Sequence, residues 1–498
     1  MGIRRRDTLI LGGSLVALGG CHSTAGSADE PARGMEPEVD ALLDRRSAAL
    51  AAGDEPGWLA AVDAGNPALV AHEKQVLANL RQLRVDGGRF RRCGRAPDPA
   101  RPGRYASSLP RESTAYDVDL AMRLPGADSA PTAVRYRCVF GRVDGAVVLV
   151  DVAGAPAAGG EPAPLTDCPW DTGALRVRRR PDLLLAAQSG VADPDALLEV
   201  AARAAAEIRR DWGDNPLPDA FAVFVAGDSA TFRGWFAGAA PDWSAGVTVP
   251  VRGAESTAAG TGRFVGSRIA VDLATSRSTG SPYETIKRQL AYAAALAVLP
   301  ASPRPAGLPG AAEFAAPLWA VEGFAQYLAG RDSAAVRARS ALRLRAARRL
   351  TGAPELAGNR DFYSAANRAA NAALGCSVFQ FVAGRYGHER ARSLYLAAVT
   401  HGQAAGPIPT PASTTRPEPA SATRPQPAST ATPGPASTAR RGPVSAARPD
   451  PTRAAQPASA PSAALAAALA RAGLADGGRA DATATDFYTQ WRRFVERS

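Results

Sequence analysis

The sequence predicts an α+β fold, with N-terminal helices on a curved antiparallel sheet and then a mostly helical domain with a small sheet. Helical periodicity comes first, from residue 37, and a run of strand patterns follows it. Beyond residue 190, amphipathic helical segments predominate and only two segments read as strands. The length of 498 residues fits two folded domains with additional segments.

The charge pattern does not favour a nucleic-acid partner. The formal net charge is +11, and lysine occurs only at Lys74 and Lys287, so almost all of the basic residues are arginine. No basic stripe interleaved with aromatic residues accompanies this excess, as nucleic-acid binding would require. The positive charge is instead compatible with an anionic membrane or envelope surface.

The first 21 residues have the order of an export signal. A basic start, MGIRRRD, precedes the apolar run TLILGGSLVAL, which is too short to span a membrane, and LGGC ends the segment. This ending resembles a bacterial lipobox, and the alternative is an ordinary signal peptide that ends in cysteine. The resemblance implies that Cys21 is lipidated and anchors the exported protein to the outer face of the bacterial cell membrane. The export route, Sec or Tat, stays open.

Residues 22–36 are predicted to be a polar tether, and residues 37–188 a first α+β domain. Its helices are predicted in EVDALLDRRSAALAAG and after the Asn-Pro pair of NPALVAHEKQVLANLRQL. Strands are predicted in AYDVDLAMRL, AVRYRCVFGRV, AVVLVDV and ALRVRRRPDLLLAA, with a tight turn at Asp144 and Gly145. By pattern alone, this order resembles the nuclear-transport-factor-like cone domains.

The second domain is predicted over residues 190–402. DPDALLEVAARAAAEIRRDWG is an amphipathic helix with Asp193 or Asp195 as its cap. FAVFVAG and SRIAVDLA are predicted strands, and TIKRQLAYAAALAVLP and PLWAVEGFAQYLAG are predicted helices. Further helices are predicted through SLYLAAVTHG.

A low-complexity tract interrupts this domain at residues 403–461. It contains 14 prolines, no aromatic residue and many Ala, Ser and Thr residues. Such a composition cannot bury enough apolar surface to offset chain entropy, so the tract is predicted to be disordered. Residues 462–498 regain helical patterns with aromatic residues, so the tract is predicted to be an insertion within the domain.

Four cysteines follow Cys21. An exported protein meets an oxidising compartment, so we expect one disulfide among Cys93, Cys138 and Cys168. The sequence does not specify the pair. Cys376 lies on an apolar helical face and is expected in the core.

LWAVEGFAQYLAG resembles the WLxEGxAxY helix of the peptidase MA-like, gluzincin-type family of bacterial lipoproteins. In that family the helix supplies a glutamate as the third zinc ligand, which the resemblance places at Glu322. The resemblance also implies that Gly323 allows close helix packing and that Trp319, Phe324 and Tyr327 seat the helix. It extends over residues 190–498 apart from the tract.

The preceding helix lacks the HExxH motif of that family. Aligning KRQLAYAA without a gap puts Arg288 at the first histidine, Gln289 at the catalytic glutamate and Tyr292 at the second histidine. Arginine has no lone pair for a metal, glutamine cannot take a proton from water, and tyrosine is a poor zinc ligand near neutral pH. We therefore expect no metal, no cofactor and no catalytic residue at these degenerate positions.

Two interpretations of Glu322 remain open. The guanidinium of Arg288 could replace the metal as the partner of Glu322, with the Tyr292 hydroxyl donating nearby. Alternatively, Glu322 faces solvent in an open cleft. The histidines offer no replacement site: His22 and His401 lie at or beside low-complexity segments, His72 lies in the first domain, and His388 begins an incomplete HExxH.

The expected function is therefore a binding or scaffold role at the cell envelope, with a peptide or envelope protein as ligand. One alternative is a hydrolase with a different site, such as Ser229 in FAVFVAGDSA, although no histidine follows in the Asp-x-x-His pattern of GDS-type esterases. Either Asp228 or Ser229 is expected to cap the next helix. Another alternative is an inert envelope spacer.

Overall fold

The computed structural model describes residues 34–96, 103–154, 167–236, 244–254, 264–299, 316–351, 356–362, 368–400, 463–474 and 480–497. The predicted signal segment with Cys21, most of the tether, the tract at 403–461 and two of the four histidines lie outside these ranges. In the described part of the chain, no helix combines the length and hydropathy needed to cross a membrane. The architecture is α+β, as the sequence predicts.

The N-terminal unit places three helices on one antiparallel sheet. The helices are α1 (Glu36–Ala52), α2 (Glu55–Leu59) and α3 (Pro67–Gln82). The strands pair in the order β1-β2-β3-β4, and their ranges are β1 (Asp86–Arg95), β2 (Ser113–Arg123), β3 (Thr132–Val143) and β4 (Ala146–Gly154). Asp144 and Gly145 both have positive φ, so the β3–β4 turn has the conformation that an Asp-Gly pair favours.

A second, mixed sheet forms the centre of the molecule. Its strands are ordered β5-β6-β7-β9-β8, with ranges β5 (Leu175–Arg180), β6 (Leu183–Gln188), β7 (Phe221–Ala226), β8 (Gly246–Arg252) and β9 (Phe264–Asp272). β6, β7 and β9 are parallel neighbours, whereas β5 and β8 are antiparallel edge strands. Helix α4 (Pro194–Trp212) connects β6 to the parallel strand β7, so these elements form a βαβ unit.

Residues 175–188, which the sequence analysis placed in the first domain, lie in the second sheet, where they form a hairpin rather than one strand. The reason is visible in β6, whose run of five buried apolar residues fits a strand covered on both faces. The structure also contains β1 and β8, which the sequence pattern did not predict.

The three parallel strands send alternate side chains into two hydrophobic cores. Leu183, Leu185, Phe221, Val223 and Ile269 belong to a core formed with the helices that follow the sheet. Their neighbours along the chain instead belong to the core of the N-terminal unit, and they include Leu184, Ala186, Ala222, Phe224 and Ala270. The sheet is therefore the shared layer between the N-terminal unit and the helical part.

A buried ion pair connects the two units beside this sheet. Arg268 on β9 donates to both carboxylate oxygens of Asp128, at 2.6 and 2.7 Å. Both side chains are almost completely buried, with 2 % and 0 % exposure. Asp128 Oδ2 also accepts from the backbone N–H of Leu124. The bidentate geometry and the additional donor compensate for the desolvation of both charges.

All but the first of the remaining helices pack on the other face of the sheet, whereas the first contributes Phe232 to the core of the N-terminal unit. They are α5 (Ser229–Gly234), α6 (Leu273–Thr279), α7 (Pro282–Ala297), α8 (Leu318–Gly330), α9 (Ala334–Thr351), α10 (Asn359–Phe362), α11 (Arg368–Tyr386), α12 (His388–Thr400), α13 (Ala463–Arg471) and α14 (Ala480–Arg497). Trp491 of α14 is fully buried, and its indole N–H donates to Ser377 Oγ of α11. The helices beyond the predicted tract thus belong to the same core as those before it.

Replacing Asp128 with Ala is expected to destabilise the protein by about 3–5 kcal/mol, because Arg268 would remain buried without its carboxylate partner. Chemical denaturation of the purified chain measures this change. Asp86→Ala is the matched control, since the Arg123–Asp86 pair is exposed on both sides and should contribute about 1 kcal/mol or less. Equal losses of unfolding free energy in the two variants would show that the buried pair contributes no more to stability than an exposed one.

Candidate functional site

Helix α7 forms one wall of the candidate site. Ser281 Oγ accepts from the Glu284 N–H and caps the helix, and Pro282 occupies its first turn. The apolar face, which includes Ile286 and Leu290, is buried against the sheet and the neighbouring helices. The predicted helix is confirmed, and its opposite face carries Arg288 and Tyr292 toward a cavity.

Helix α8 crosses α7 and is held closely against α11. A Cβ atom on Gly323 would lie 2.3 Å from the carbonyl carbon of Gly375, and a Cβ on Gly375 would lie 2.4 Å from the Trp319 oxygen. The two backbones therefore touch at this pair of glycines. This confirms that Gly323 permits close helix packing, and Gly375 is its counterpart.

The aromatic residues of α8 fix the helix in the core. The Phe324 ring stacks on Tyr395 at 4.5 Å between centroids, and Trp319 stacks on Phe379 at 5.9 Å. The Tyr327 hydroxyl lies 3.0 Å from His388 Nδ1. All three aromatic residues are buried, as the sequence predicts for a seated helix.

Gln289 is directed away from the cavity and toward β8. Its side-chain nitrogen donates to the Gly246 carbonyl at 3.0 Å, and its side-chain oxygen accepts from Thr248 Oγ1 at 2.8 Å. Thr248 Oγ1 also lies 2.9 Å from the Gln289 carbonyl oxygen. Gln289 is buried, so both ends of its amide are satisfied within the fold. Its contacts make it a connection between α7 and the sheet.

The cavity between α7, α8, α9 and α11 has a volume of about 360 Å³. Arg288 and Tyr292 of α7 and Glu322 of α8 line it together. The Tyr292 hydroxyl is buried and has no hydrogen-bond partner within the described part of the chain. Arg288 likewise donates no hydrogen bond to another described residue. Because buried polar groups are nearly always paired, two such donors at one cavity make it a candidate binding site.

The expected ion pair between Arg288 and Glu322 is not formed. Among the described side chains, no N···O distance of 4.0 Å or less joins these two residues. Burial lowers the pKa of the Arg288 guanidinium, and the Glu322 carboxylate partly opposes this shift. The negative charge of Glu322 thus favours the protonated form of Arg288 without a direct ion pair. Glu322 also takes part in another interaction. Tyr292 does not donate to either group.

Three further arginines line the same cavity. Arg339 and Arg343 lie one turn apart on α9, and Arg368 begins α11. Arg339 forms an ion pair with Glu284 of α7. Partial desolvation of its guanidinium and the charges of Arg288 and Arg339 lower the pKa of Arg343, although the side chain as a whole is exposed. The sequence analysis missed this cluster, although the four-residue spacing of two arginines in the α9 segment was its visible signal.

The donor set at the cavity does not fit zinc. Arg288 and Tyr292 occupy the positions that histidines hold in the resembled peptidases, and Gln289 is committed to β8. Glu322 would remain as the only carboxylate of the expected ligand set. No group of three His, Cys, Asp or Glu side chains with metal-binding geometry exists among the residues that the structure describes.

The other candidate residues lie outside this cavity. His388 is held at both ring nitrogens, with Tyr327 at Nδ1 and the Asp211 carbonyl 2.7 Å from Nε2. Ser229 Oγ contacts Asp272 and Thr275, and none of its recorded contacts within the described ranges is a histidine. Asp228 caps α5 by accepting from two backbone N–H groups, which confirms one of the two expected caps.

The structure corrects the expectation of a disulfide. Cys93, Cys138, Cys168 and Cys376 all have free thiols. Cys93 is exposed on the edge strand β1, whereas Cys138 and Cys168 are buried in the N-terminal core, where burial raises their pKa. Cys376 is buried in the helical core, as predicted.

A small polar cavity in the N-terminal unit also escaped the sequence analysis. It has a volume of about 30 Å³, about the volume of one water molecule. Arg46, Glu73, Tyr136 and Asp171 line it, and Arg46 donates to Glu73 at 2.6 Å. The Tyr136 hydroxyl donates to Asp171 and accepts from the indole N–H of Trp170. Arg46 Nη1 has no hydrogen-bond partner in the described part of the chain, while the other polar groups named here bond to one another.

Comparison of the chain with protein-family models, with curated proteins and with solved structures gives no match. The resemblance to gluzincin-type peptidases therefore depends on the residues of α7 and α8 and on the order of the surrounding elements.

Replacing Gly323 with Ala is expected to lower the free energy of unfolding by about 1–3 kcal/mol, because the new methyl group would force α8 and α11 apart. Gly384→Ala on α11 is the matched control. A Cβ there meets no atom within 4 Å, so alanine should be neutral or stabilise the helix by up to about 1 kcal/mol. Thermal denaturation of both variants gives the comparison, and equal shifts would contradict the close approach at Gly323.

The stability of the protein is expected to depend on the protonation of Asp171. Burial raises the pKa of Asp171 to about 8, so the folded protein keeps a proton that the unfolded chain loses near pH 4. The stability contributed by this carboxyl group is complete below pH 4 and is lost as the pH rises to 8. Relative to Asp171→Asn, the wild-type protein should lose roughly 1 kcal/mol of unfolding free energy per pH unit in this window. Denaturation of both proteins from pH 4 to 8 measures the difference between their unfolding free energies. If Asp171 does not titrate in this range, the difference should stay constant.

Proposed function

We propose that the protein is an exported lipoprotein whose gluzincin-like domain has no peptidase activity and binds a ligand in the former active-site cleft. The ligand would be a peptide or an envelope protein, and the lipid on Cys21 would hold the protein at the outer face of the cell membrane. The observation that carries the proposal is the cavity at Arg288 and Tyr292, where two polar groups lack partners within the described structure.

The contacts of α7 support a role in binding over one in catalysis. A peptidase of the resembled type needs a general base beside a zinc-bound water. The residue at that position, Gln289, cannot take a proton, and its amide is bound to Gly246 and Thr248. The glycine contact of α8 and α11 supports this proposal, because it holds α8 beside the cavity.

The test uses the full chain purified in detergent. Metal analysis and incubation with a mixed peptide pool are expected to show less than stoichiometric zinc and no chelator-sensitive cleavage, while peptides from the same pool are retained by the protein. Zinc at one equivalent with chelator-sensitive cleavage would refute the proposal in favour of an enzyme. Retention of no peptide at all would also contradict it and would favour an inert spacer.

A further inference from the structure

The cavity at α7 and α8 carries an excess of positive charge. Four arginines line it, against the two carboxylates of Glu284 and Glu322. One of these carboxylates, Glu284, is already paired with Arg339. The guanidinium of Arg343 is held near Arg288 and Arg339 although like charges repel. A ligand with negative charge would relieve this repulsion.

The donors at the cavity differ in depth. Arg288 is half-buried and Arg343 is exposed, so the arginines extend from the interior to the entrance. Neither Arg288 nor Arg343 is joined by an ion pair or hydrogen bond to another described residue. The hydroxyl of Tyr292 adds a buried donor without a partner to the same cavity. A planar guanidinium matches a carboxylate through two parallel N–H···O bonds, and a tyrosine hydroxyl can add a third.

Part of the remaining wall is apolar, and Thr279, Ser281, Thr285, Gln326 and Ser340 add polar side chains to it. Phe362 is buried there, and the other apolar residues are Ala245, Ala329, Val336, Ala369 and Ala372. The cavity volume, about 360 Å³, falls at the small end of the range for ligand sites. It suits one or two amino-acid residues better than a long polymer segment.

We infer that this cavity binds the free C-terminal carboxylate of a peptide, with Arg288 and Tyr292 as the carboxylate-binding residues and the apolar wall receiving the last side chain. The inference rests on the proposed binding function and adds the chemical class of the ligand. Arg343 at the entrance attracts the carboxylate electrostatically. Inorganic phosphate is the alternative anion, but it has no side chain for the apolar residues of the wall.

The experiment compares two fluorescent pools of tripeptides, one with free C-terminal carboxylates and one with amidated ends. Fluorescence polarisation with the full chain is expected to show at least about 10-fold tighter binding of the acid pool, since a charge-assisted pair is lost in the amides. Arg288→Gln should reduce binding of the acid pool about 10-fold and leave the amide pool unchanged. Arg343→Gln, at an exposed position, should give a smaller loss and tests the same cavity if Arg288→Gln does not fold.

Arg337→Gln is the matched control, because this exposed arginine lies on the same helix as Arg343 and does not line the cavity. It should bind both pools as the wild-type protein does. Tyr292→Phe should weaken binding of the acid pool several-fold without lowering the melting temperature, since it removes a buried hydroxyl that has no described partner.

The outcomes separate this inference from the proposed function. Equal binding of acid and amide pools would overturn the carboxylate assignment while leaving peptide binding intact. Displacement of the acid pool by inorganic phosphate at similar concentrations would also overturn it and would indicate a general anion site. Binding of neither pool would contradict the proposed function itself.

Discussion

The structure depends on a sheet that is buried on both faces. Because side chains alternate along β6, β7 and β9, each of these strands must supply apolar residues to two different cores. A shift of one residue in the pairing would exchange the two sets, and Phe224 would then compete with Val223 and Val225 for a space of another shape. The pairing register is therefore fixed by packing on both sides. The N-terminal unit and the helices that form the cavity are stabilised by the same strands.

This arrangement explains why the cavity can contain uncompensated polar groups. A buried donor without a partner costs roughly 1–3 kcal/mol, which is a large fraction of the stability of an ordinary domain. Three contacts keep α7, α8 and α11 in place. They are the close approach of Gly323 and Gly375, the stacking of Phe324 on Tyr395, and the hydrogen bonds of Gln289 to β8. This frame lets Arg288 and Tyr292 line the cavity without hydrogen-bond partners in the described part of the chain.

Much of the fold could be predicted from local patterns, and the failures have specific causes. Helices α7 and α8 were predictable because their apolar residues recur with helical spacing. Strand β8 was not, because Pro250 interrupts it, which is tolerated only because β8 is an edge strand. Strand β1 is also an edge strand, and its glycines and arginines conceal it. The β5–β6 hairpin was assigned to the wrong sheet, since only tertiary pairing decides which strand it joins.

The candidate site was predictable only in part. Arg288, Tyr292 and Glu322 were identified from the resemblance, and the structure brings all three to one cavity. The direction of Gln289 and the arrival of Arg339, Arg343 and Arg368 were not predictable, because they depend on how α9 and α11 are placed in space. Sequence spacing shows which residues share a helix face, but it does not show which other helix that face meets.

The contacts of Gln289 determine how a glutamate would be accommodated at this position. In the resembled family this position is the catalytic glutamate, and one codon change separates glutamine from glutamate. Here, however, the side-chain nitrogen donates to the Gly246 carbonyl inside a buried contact. A glutamate would turn that donor into an oxygen facing another oxygen, so the carboxylate would be repelled or would have to hold a proton. Glutamate at position 289 alone would therefore not supply a free carboxylate to the cavity, because this side chain is part of the contact with β8.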